Sequence, residues 1–309
     1  MPSPTLCLGT GNRCTAGLPH HGSPVLDSAA QWNNGSFPFS ACCTSCASPR
    51  TCSNSRMEEQ HFVELILPLF SEPQQRPVFL EVGGYDGIHE SNTLFLQRCL
   101  GWSGLMIEAS PQKFDELVAN RPGVAALHSA LSERCEPNSS IRFGGTGTSS
   151  AILSDRRSRS GIEVPCAPLR HLLDALNVPH ISFMSVDVEG AEAEVVRSID
   201  WSRQSVAVMV VEENTKSHAA KNAQVAAFLR KSTPMRWMFR ACWTPKGDAL
   251  CDAYWVDPRF VDVPRLLAAN ATYDHHAIRS ERAGAVFTHT HNARCRVRDV
   301  HGARDKIIA

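Results

Sequence analysis

Residues 77–110 read PVFLEVGGYDGIHESNTLFLQRCLGWSGLMIEAS, and the fold reading starts from them. Residues 78–82 are an apolar strand opening with Val78-Phe79-Leu80, 83–90 a glycine-bearing loop, the stretch from about Ser91 a helix, and Leu105-Met106-Ile107 a second apolar strand ending in Glu108. That order, in that length, is one βαβ half-unit of a doubly wound α/β sheet. The loop has the spacing Glu81-x-Gly83-x-x-x-Gly87, with Gly84 and Tyr85 between the glycines. Glycine after a parallel strand lets the chain turn sharply and lets a ligand come close. A dinucleotide loop is spaced G-x-G-x-x-G and lays pyrophosphate on a helix N-terminus. Here a carboxylate stands two residues before the first glycine and would repel phosphate. A cofactor with a cationic amino-acid end and ribose hydroxyls, such as S-adenosylmethionine, suits it better. Glu108, at the second strand tip, is positioned to accept from both ribose hydroxyls.

Outward from this unit, the helical spacing of Phe62, Leu65, Ile66 and Leu69 predicts a helix over 57–70. Ser91 is read as the cap of the helix after the glycine loop. Ser110-Pro111 caps and opens the next helix. Val124 to Leu127 is a short third strand, so Ser129 and Ala130 are candidate adenine neighbours, although an ordinary strand-end turn explains them equally well. Residues 132–159 are polar and glycine-rich, without a period, and read as a lid or substrate loop. In that loop the run Arg156-Arg157-x-Arg159 is either a contact for an anionic substrate or a solvated face.

The second informative stretch is ISFMSVDVEGAE, a buried-type strand from Ile181 whose end carries Asp187 and Glu189. In open parallel sheets the carboxyl ends of the strands form the ligand crevice. Both acids therefore face the glycine loop, and the apolar run Val206 to Val211 brings Glu212-Glu213-Asn214 to the same edge. Two further strands, Met235 to Phe239 and Ala253 to Val256, read as an antiparallel pair that closes the sheet.

The whole chain has 309 residues, with 31 Lys+Arg balanced by 31 Asp+Glu. Zero net charge gives no global field for nucleic acid or an anionic membrane. No apolar run approaches the ~18 residues of a membrane span. The start lacks a charged n-region followed by an apolar stretch. Residues 1–56 are rich in Ser, Pro and Gly, contain no Lys or Glu, and read as an extension without a packed core. They are a disordered segment or an organelle leader; the compartment otherwise defaults to cytoplasmic. Of 12 cysteines, half precede residue 56 and the rest are scattered singly. Cys42, Cys43, Cys46 and Cys52 lack the paired spacing of a zinc site. The sequons at Asn34, Asn138 and Asn270 are close to chance. Residues 57–262 form the catalytic domain of this reading, and 263–309 a poorly ordered appendage in which His289 and His291 fit an exposed polar tail better than a metal pair.

FLEVGGYDGIHESNTLFLQRCLGWSGLMIEASP, ISFMSVDVEGAE and VAVMVVEEN together resemble the FkbM-type methyltransferases, a branch of the class I S-adenosylmethionine-dependent enzymes, over about residues 60 to 257. The resemblance implies a Rossmann-like αβα sandwich with a seven-strand, mostly parallel sheet of order 3-2-1-4-5-7-6 and an antiparallel last strand. It also implies methyl transfer to a hydroxyl oxygen of a sugar or small natural product. By position, Glu81, Gly83 and Gly87 line the methionine end, Glu108 the ribose, and Asp187 with Glu189 the reacting side. Gly84 departs from the alanine expected there and should loosen the loop. Asp187 and Glu189 are the first candidates for the base that an alcohol acceptor needs, ahead of His180 and His89. Asp187, Glu213 and Asn214 offer hard oxygen ligands for Mg²⁺, whereas the same groups equally serve as helix caps or cofactor contacts. Two rival readings are a non-catalytic methyltransferase-like binding protein and an NAD dehydrogenase. The second is disfavoured by the glycine spacing and the lack of a Tyr-x-x-x-Lys pair. Nothing in the sequence identifies the acceptor or the oligomeric state.

Overall fold

The computed structural model describes residues 5–8, 13–16, 53–72, 76–136, 139–144, 151–152, 161–242 and 250–275. The main sheet has nine strands. In chain order the strands are β1 (Thr5–Leu8), β2 (Arg13–Ala16), β3 (Val78–Val82), β4 (Ser103–Glu108), β5 (Ala125–His128), β6 (Ala130–Leu131), β7 (Ser139–Gly144), β8 (Ala151–Ile152), β9 (Ile162–Ala167), β10 (His180–Val186), β11 (Ser205–Asn214), β12 (Arg236–Cys242) and β13 (Leu250–Val256). The sheet runs β12-β13-β11-β10-β3-β4-β5-β1-β2. Its seven strands from β12 to β5 have the expected order 3-2-1-4-5-7-6, with β13 antiparallel to both neighbours. The strands β5, β4, β3, β10 and β11 are parallel.

Central parallel strands are covered on both faces, so their residues alternate between two cores. Leu80, Val82, Leu105, Ile107, Met184 and Val186 face one core, beneath α3 (Leu169–Ala175), α4 (Glu192–Arg197) and α5 (Ala219–Ser232). Phe79, Met106, Phe183, Val208 and Val210 face the other. That second core is covered by α1 (Leu94–Arg98), α2 (Pro111–Asn120) and α6 (Val263–Thr272), together with the helical turns of residues 58–69. Ser110 caps α2 as expected, accepting from the Lys113 N–H at 3.4 Å, with Pro111 in the first turn.

Several expectations need correction. The hairpin of β1 and β2 adds antiparallel to β5 from within the segment read as lacking structure; its strands are four residues each, too short to show a period. Packing extends upstream of Met57, because Ser53 and Ser55 are buried and Ser53 donates to Glu59. The predicted helix 57–70 is a π-turn segment, His61–Ile66, between one α-helical turn and a 3-10 turn that contains Pro68, which lacks an N–H for the α ladder. The segment read as a tail from residue 263 begins with α6, whose Leu266 is fully buried.

Residues 139–144 and 151–152 of the loop read over 132–159 belong to a second sheet, β6-β9-β7-β8, pinned by a disulfide between Cys135 and Cys166. A second disulfide, Cys242–Cys251, joins β12 and β13. Four of the six cysteines read as single are thus paired, Cys135 with Cys166 and Cys242 with Cys251. The Cys42 group, Asn34, Asn138, Arg156, Arg157, Arg159, His289 and His291 lie outside the described residues.

Candidate functional site

Along the C-terminal edge of the parallel strands lies a crevice of about 330 Å³, within the range of small-molecule sites. It is lined by Glu81, Gly83, Gly84, Tyr85, Glu108, Ser129, Ala130, Asp187 and Glu189, so every cofactor position read from the sequence except Gly87 is brought there. Around it the backbone is strained: Tyr85, Glu90 and Glu189 have φ of 47°, 53° and 54°. Non-glycine residues in this region cluster where a site holds the chain in an uncommon conformation.

The two glycines serve packing inside the loop. A Cβ on Gly83, whose φ is +85°, would lie 1.7 Å from the Asp187 carbonyl oxygen, so glycine lets the loop cross the β10 end. A Cβ on Gly87 would lie 2.6 Å from the Arg121 side chain. At Gly84 a Cβ would meet only the mobile ends of Leu117 and Met106, at 2.7 and 3.0 Å; the missing methyl is taken up by these side chains.

Glu81 is buried and heavily engaged. Its carboxyl accepts from Ser91 Oγ at 2.9 Å, the Asn92 N–H at 2.8 Å and Thr93 Oγ1 at 2.5 Å, with the Arg121 guanidinium 3.9 Å away. Ser91 is therefore not a helix cap; the helix begins at Leu94 and the Ser-Asn-Thr triplet wraps Glu81. Burial raises the Glu81 pKa, opposed by Arg121 and these hydrogen bonds. Arg121, itself fully buried, also donates to the Gly87 and Thr93 carbonyls and to Ser91 Oγ. Arg121 follows directly on the end of α2, and nothing in its sequence neighbours announces a buried cation.

Glu108 ends β4 with each carboxyl oxygen holding one backbone N–H, Tyr85 at 2.8 Å and Ser110 at 2.7 Å. The Ala109 N–H is a third backbone donor to this carboxyl, which leaves about one lone-pair site toward the crevice. Burial raises its pKa against those hydrogen bonds. Ser129 and Ala130 are buried at the β5 end, where Ser129 Oγ donates to the Ala130 carbonyl at 2.7 Å. Lys113 Nζ sits 4.3 Å over the Tyr85 ring at the rim.

At the far end, the Asp187 and Glu212 carboxyls are hydrogen-bonded to each other. Burial, then the neighbouring Glu212 charge, pushes Asp187 well above the ordinary carboxylate range, and burial raises Glu212 to about 7. Two acids this close share a proton between them. Glu189 also lines the crevice, raised by burial and by Glu192. Glu192 holds the loop instead, accepting from the Gly190 N–H at 2.8 Å. Arg56, ion-paired with Glu90 at 2.7 Å, lines this same end.

Three candidates lie elsewhere or act otherwise. Glu213 points to the opposite sheet face, paired with Arg240 at 2.5 Å, because side chains alternate along β11; Glu212 is the residue that faces the crevice. His180 stands at the start of β10, the wrong edge, bonded to Ser205 Oγ at 2.9 Å. Asn214 lines the crevice, yet its Oδ1 accepts from the Ser217 N–H at 3.0 Å. Among the described residues no group of three or more His, Cys, Asp or Glu is arranged to hold a metal ion. His89 lines the crevice at its exposed side. No helix among the described residues is long and apolar enough to cross a membrane.

Residues 81–233 match the family model of the methyltransferase FkbM domain. No curated protein matches the chain significantly. Among solved structures, an O-methyltransferase from Bacillus cereus in complex with SAH is 12% identical, over 75% of this chain and 88% of that one, with a TM-score of 0.39. A TehB-like SAM-dependent methyltransferase from Corynebacterium glutamicum is 9% identical over 75% and 97%, with a TM-score of 0.35. A human methyltransferase 10 domain containing protein is 11% identical over 60% and 74%, with a TM-score of 0.32.

Proposed function

We propose that the chain, matching this FkbM family model over residues 81–233, is an S-adenosylmethionine-dependent methyltransferase that moves a methyl group to a hydroxyl oxygen of a sugar or small natural-product acceptor. The observation that carries the reading is the order of groups along the strand tips. Ser129 and Ala130 follow β5, Glu108 ends β4, Gly83 follows β3, and the Asp187–Glu212 pair spans the ends of β10 and β11. Adenine, ribose, amino-acid end and acceptor then lie in that order, with the Glu108 carboxyl meeting the ribose. The acidic walls also suit a cationic sulfonium cofactor rather than pyrophosphate.

When bound, the cofactor supplies an electrophilic methyl on a sulfonium sulfur. An acceptor oxygen would take that methyl, the sulfur keeping the electron pair of the broken bond, and the hydroxyl proton would pass to the Asp187–Glu212 pair. Glu212 takes that proton in this scheme, and Glu189 orients the acceptor at the mouth. No step is routed through Mg²⁺, because Asp187 and Glu212 direct their carboxyls at each other and Glu213 faces away. The two disulfides favour an oxidising compartment over the cytoplasm as the place of work.

Calorimetric titration with S-adenosylmethionine, S-adenosylhomocysteine and NAD tests the cofactor. Binding of the two sulfur ligands and not NAD is expected, and binding of neither sulfur ligand overturns the proposal. A screen of hydroxyl-bearing acceptors with methyl-labelled cofactor tests the O-methyl assignment; label appearing only on nitrogen acceptors rejects it.

A further inference from the structure

Asn92 follows the glycine loop and is 8% exposed. Its backbone N–H is bonded to Glu81 at 2.8 Å and its Nδ2 donates to Ser185 Oγ at 2.9 Å, which leaves the amide fixed across the seam between β3 and β10. Its Oδ1 is buried without a hydrogen-bond partner. Asn92 lines the crevice. A buried amide oxygen left unpaired costs free energy, and such an atom facing a cavity marks where a ligand donor belongs.

We infer that Asn92 Oδ1 receives the ammonium group of the cofactor's methionine end, the part the sequence assigns to Glu81. The inference rests on the S-adenosylmethionine reading. Position supports it: with adenine beside β5 and ribose at Glu108 on β4, the next portion of an extended ligand lies over the β3–β10 seam. Chemistry supports it as well. An ammonium brings three N–H donors and no acceptor. Glu81 already takes three hydrogen bonds and faces Arg121, so its part is to hold the Ser91-Asn92-Thr93 turn that aims the Asn92 amide. A neutral amide acceptor also avoids adding another anion beside Glu81 and Asp187.

The test is calorimetric titration of the full chain, Asn92→Ala and Asn92→Asp with S-adenosylhomocysteine and with 5′-methylthioadenosine, which keeps adenine, ribose and sulfur and lacks the amino-acid end. Loss of a charge-assisted hydrogen bond predicts that Asn92→Ala weakens S-adenosylhomocysteine about tenfold or more and leaves 5′-methylthioadenosine within about threefold. Retained binding of the smaller ligand also establishes that the variant is folded. Asn92→Asp keeps an oxygen acceptor but adds an acid and loses the donor to Ser185, so its S-adenosylhomocysteine affinity is expected to fall between those of the unsubstituted chain and Asn92→Ala. Equal losses for both ligands, no loss for either, or an Asp variant as weak as the Ala variant each overturn the inference. Failure of both ligands to bind the unsubstituted chain instead overturns the methyltransferase reading, and this inference with it.

Discussion

Arg121 closes the loop that bears the glycines. It joins the end of α2 to the Gly87 carbonyl, to Ser91 and Thr93, and to the buried Glu81 carboxyl, with no exposure of its own. Arg121→Met would fill the space but leave Glu81 buried without its cation, a change that costs roughly 3–5 kcal/mol when one partner of a buried pair is removed. Urea denaturation is expected to show that loss, and a loss under about 1 kcal/mol would mean that Glu81 is neutral in the folded chain. Gly87→Ala strikes the same place from the other side, since φ is +79° and the added Cβ meets Arg121; a loss of about 1–3 kcal/mol is expected in the same assay. At the reacting end, Glu212 has to be ionised to accept a proton. Because burial raises it to about 7, methyl transfer should rise with pH through about 7 and level off above it. Glu212→Gln should remove that limb and lower kcat about 10²–10⁴-fold, the usual contribution of a general base. A Gln variant with an unchanged pH profile would move the role to Glu189 or His89.

Among the elements, the small sheet of β6, β9, β7 and β8 shows where sequence reading stopped. The strands β3, β4, β10 and β11 were legible because burial on both faces makes them continuous apolar runs, and Glu108 and Asp187 were legible because each ends such a run. Residues 139–144, by contrast, are mostly half-buried, 162–167 begin exposed and carry Pro165 within a short run, and Cys135 and Cys166 are brought together only by the fold. Glu212 was missed in favour of Glu213 for a related reason. Which of two adjacent acids faces the crevice depends on strand phase, and both neighbours of a buried run look alike in sequence. Through Phe143 and Ile152 the small sheet forms part of the crevice wall, so its clamp bears on ligand binding. Replacing Cys135 and Cys166 together by alanine releases a loop with a sequence separation of 31. A destabilisation of about 2–4 kcal/mol is expected by thermal melting, together with weaker S-adenosylhomocysteine binding. Unchanged affinity in the melted-down variant would separate the clamp from the site.

The whole molecule gathers acids with raised pKa values along one sheet edge, four of them buried: Glu59, Glu81, Glu108 and Asp252. Glu81, Asp187, Glu212 and Asp252 all lie on or beside strands of that edge, with Glu59 beneath and Glu108 alongside, and burial is the first cause raising the pKa of each. The consequence for folding has a definite sign. An unfolded glutamate releases its proton near 4.5, whereas folded Glu59 and Glu212 hold theirs to about 7. Between those values the folded chain binds more protons than the unfolded chain, so stability falls as pH rises. Half-buried His128 and His180, whose pKa values burial lowers, act in the opposite sense below 6.5, but two imidazoles face six carboxyls whose pKa values are raised. Denaturation at fixed ionic strength should therefore show stability declining from pH 5 to pH 8. Glu59 isolates one contribution, since it is fully buried, lies outside the crevice and bonds the Leu96 N–H at 3.0 Å. Its shift corresponds to roughly 3 kcal/mol across that window, so Glu59→Gln should flatten the decline by about that amount without changing cofactor affinity. Stability that rises toward pH 8, or a Gln variant with the parent's slope, would mean that these acids ionise inside the fold with partners that offset their burial.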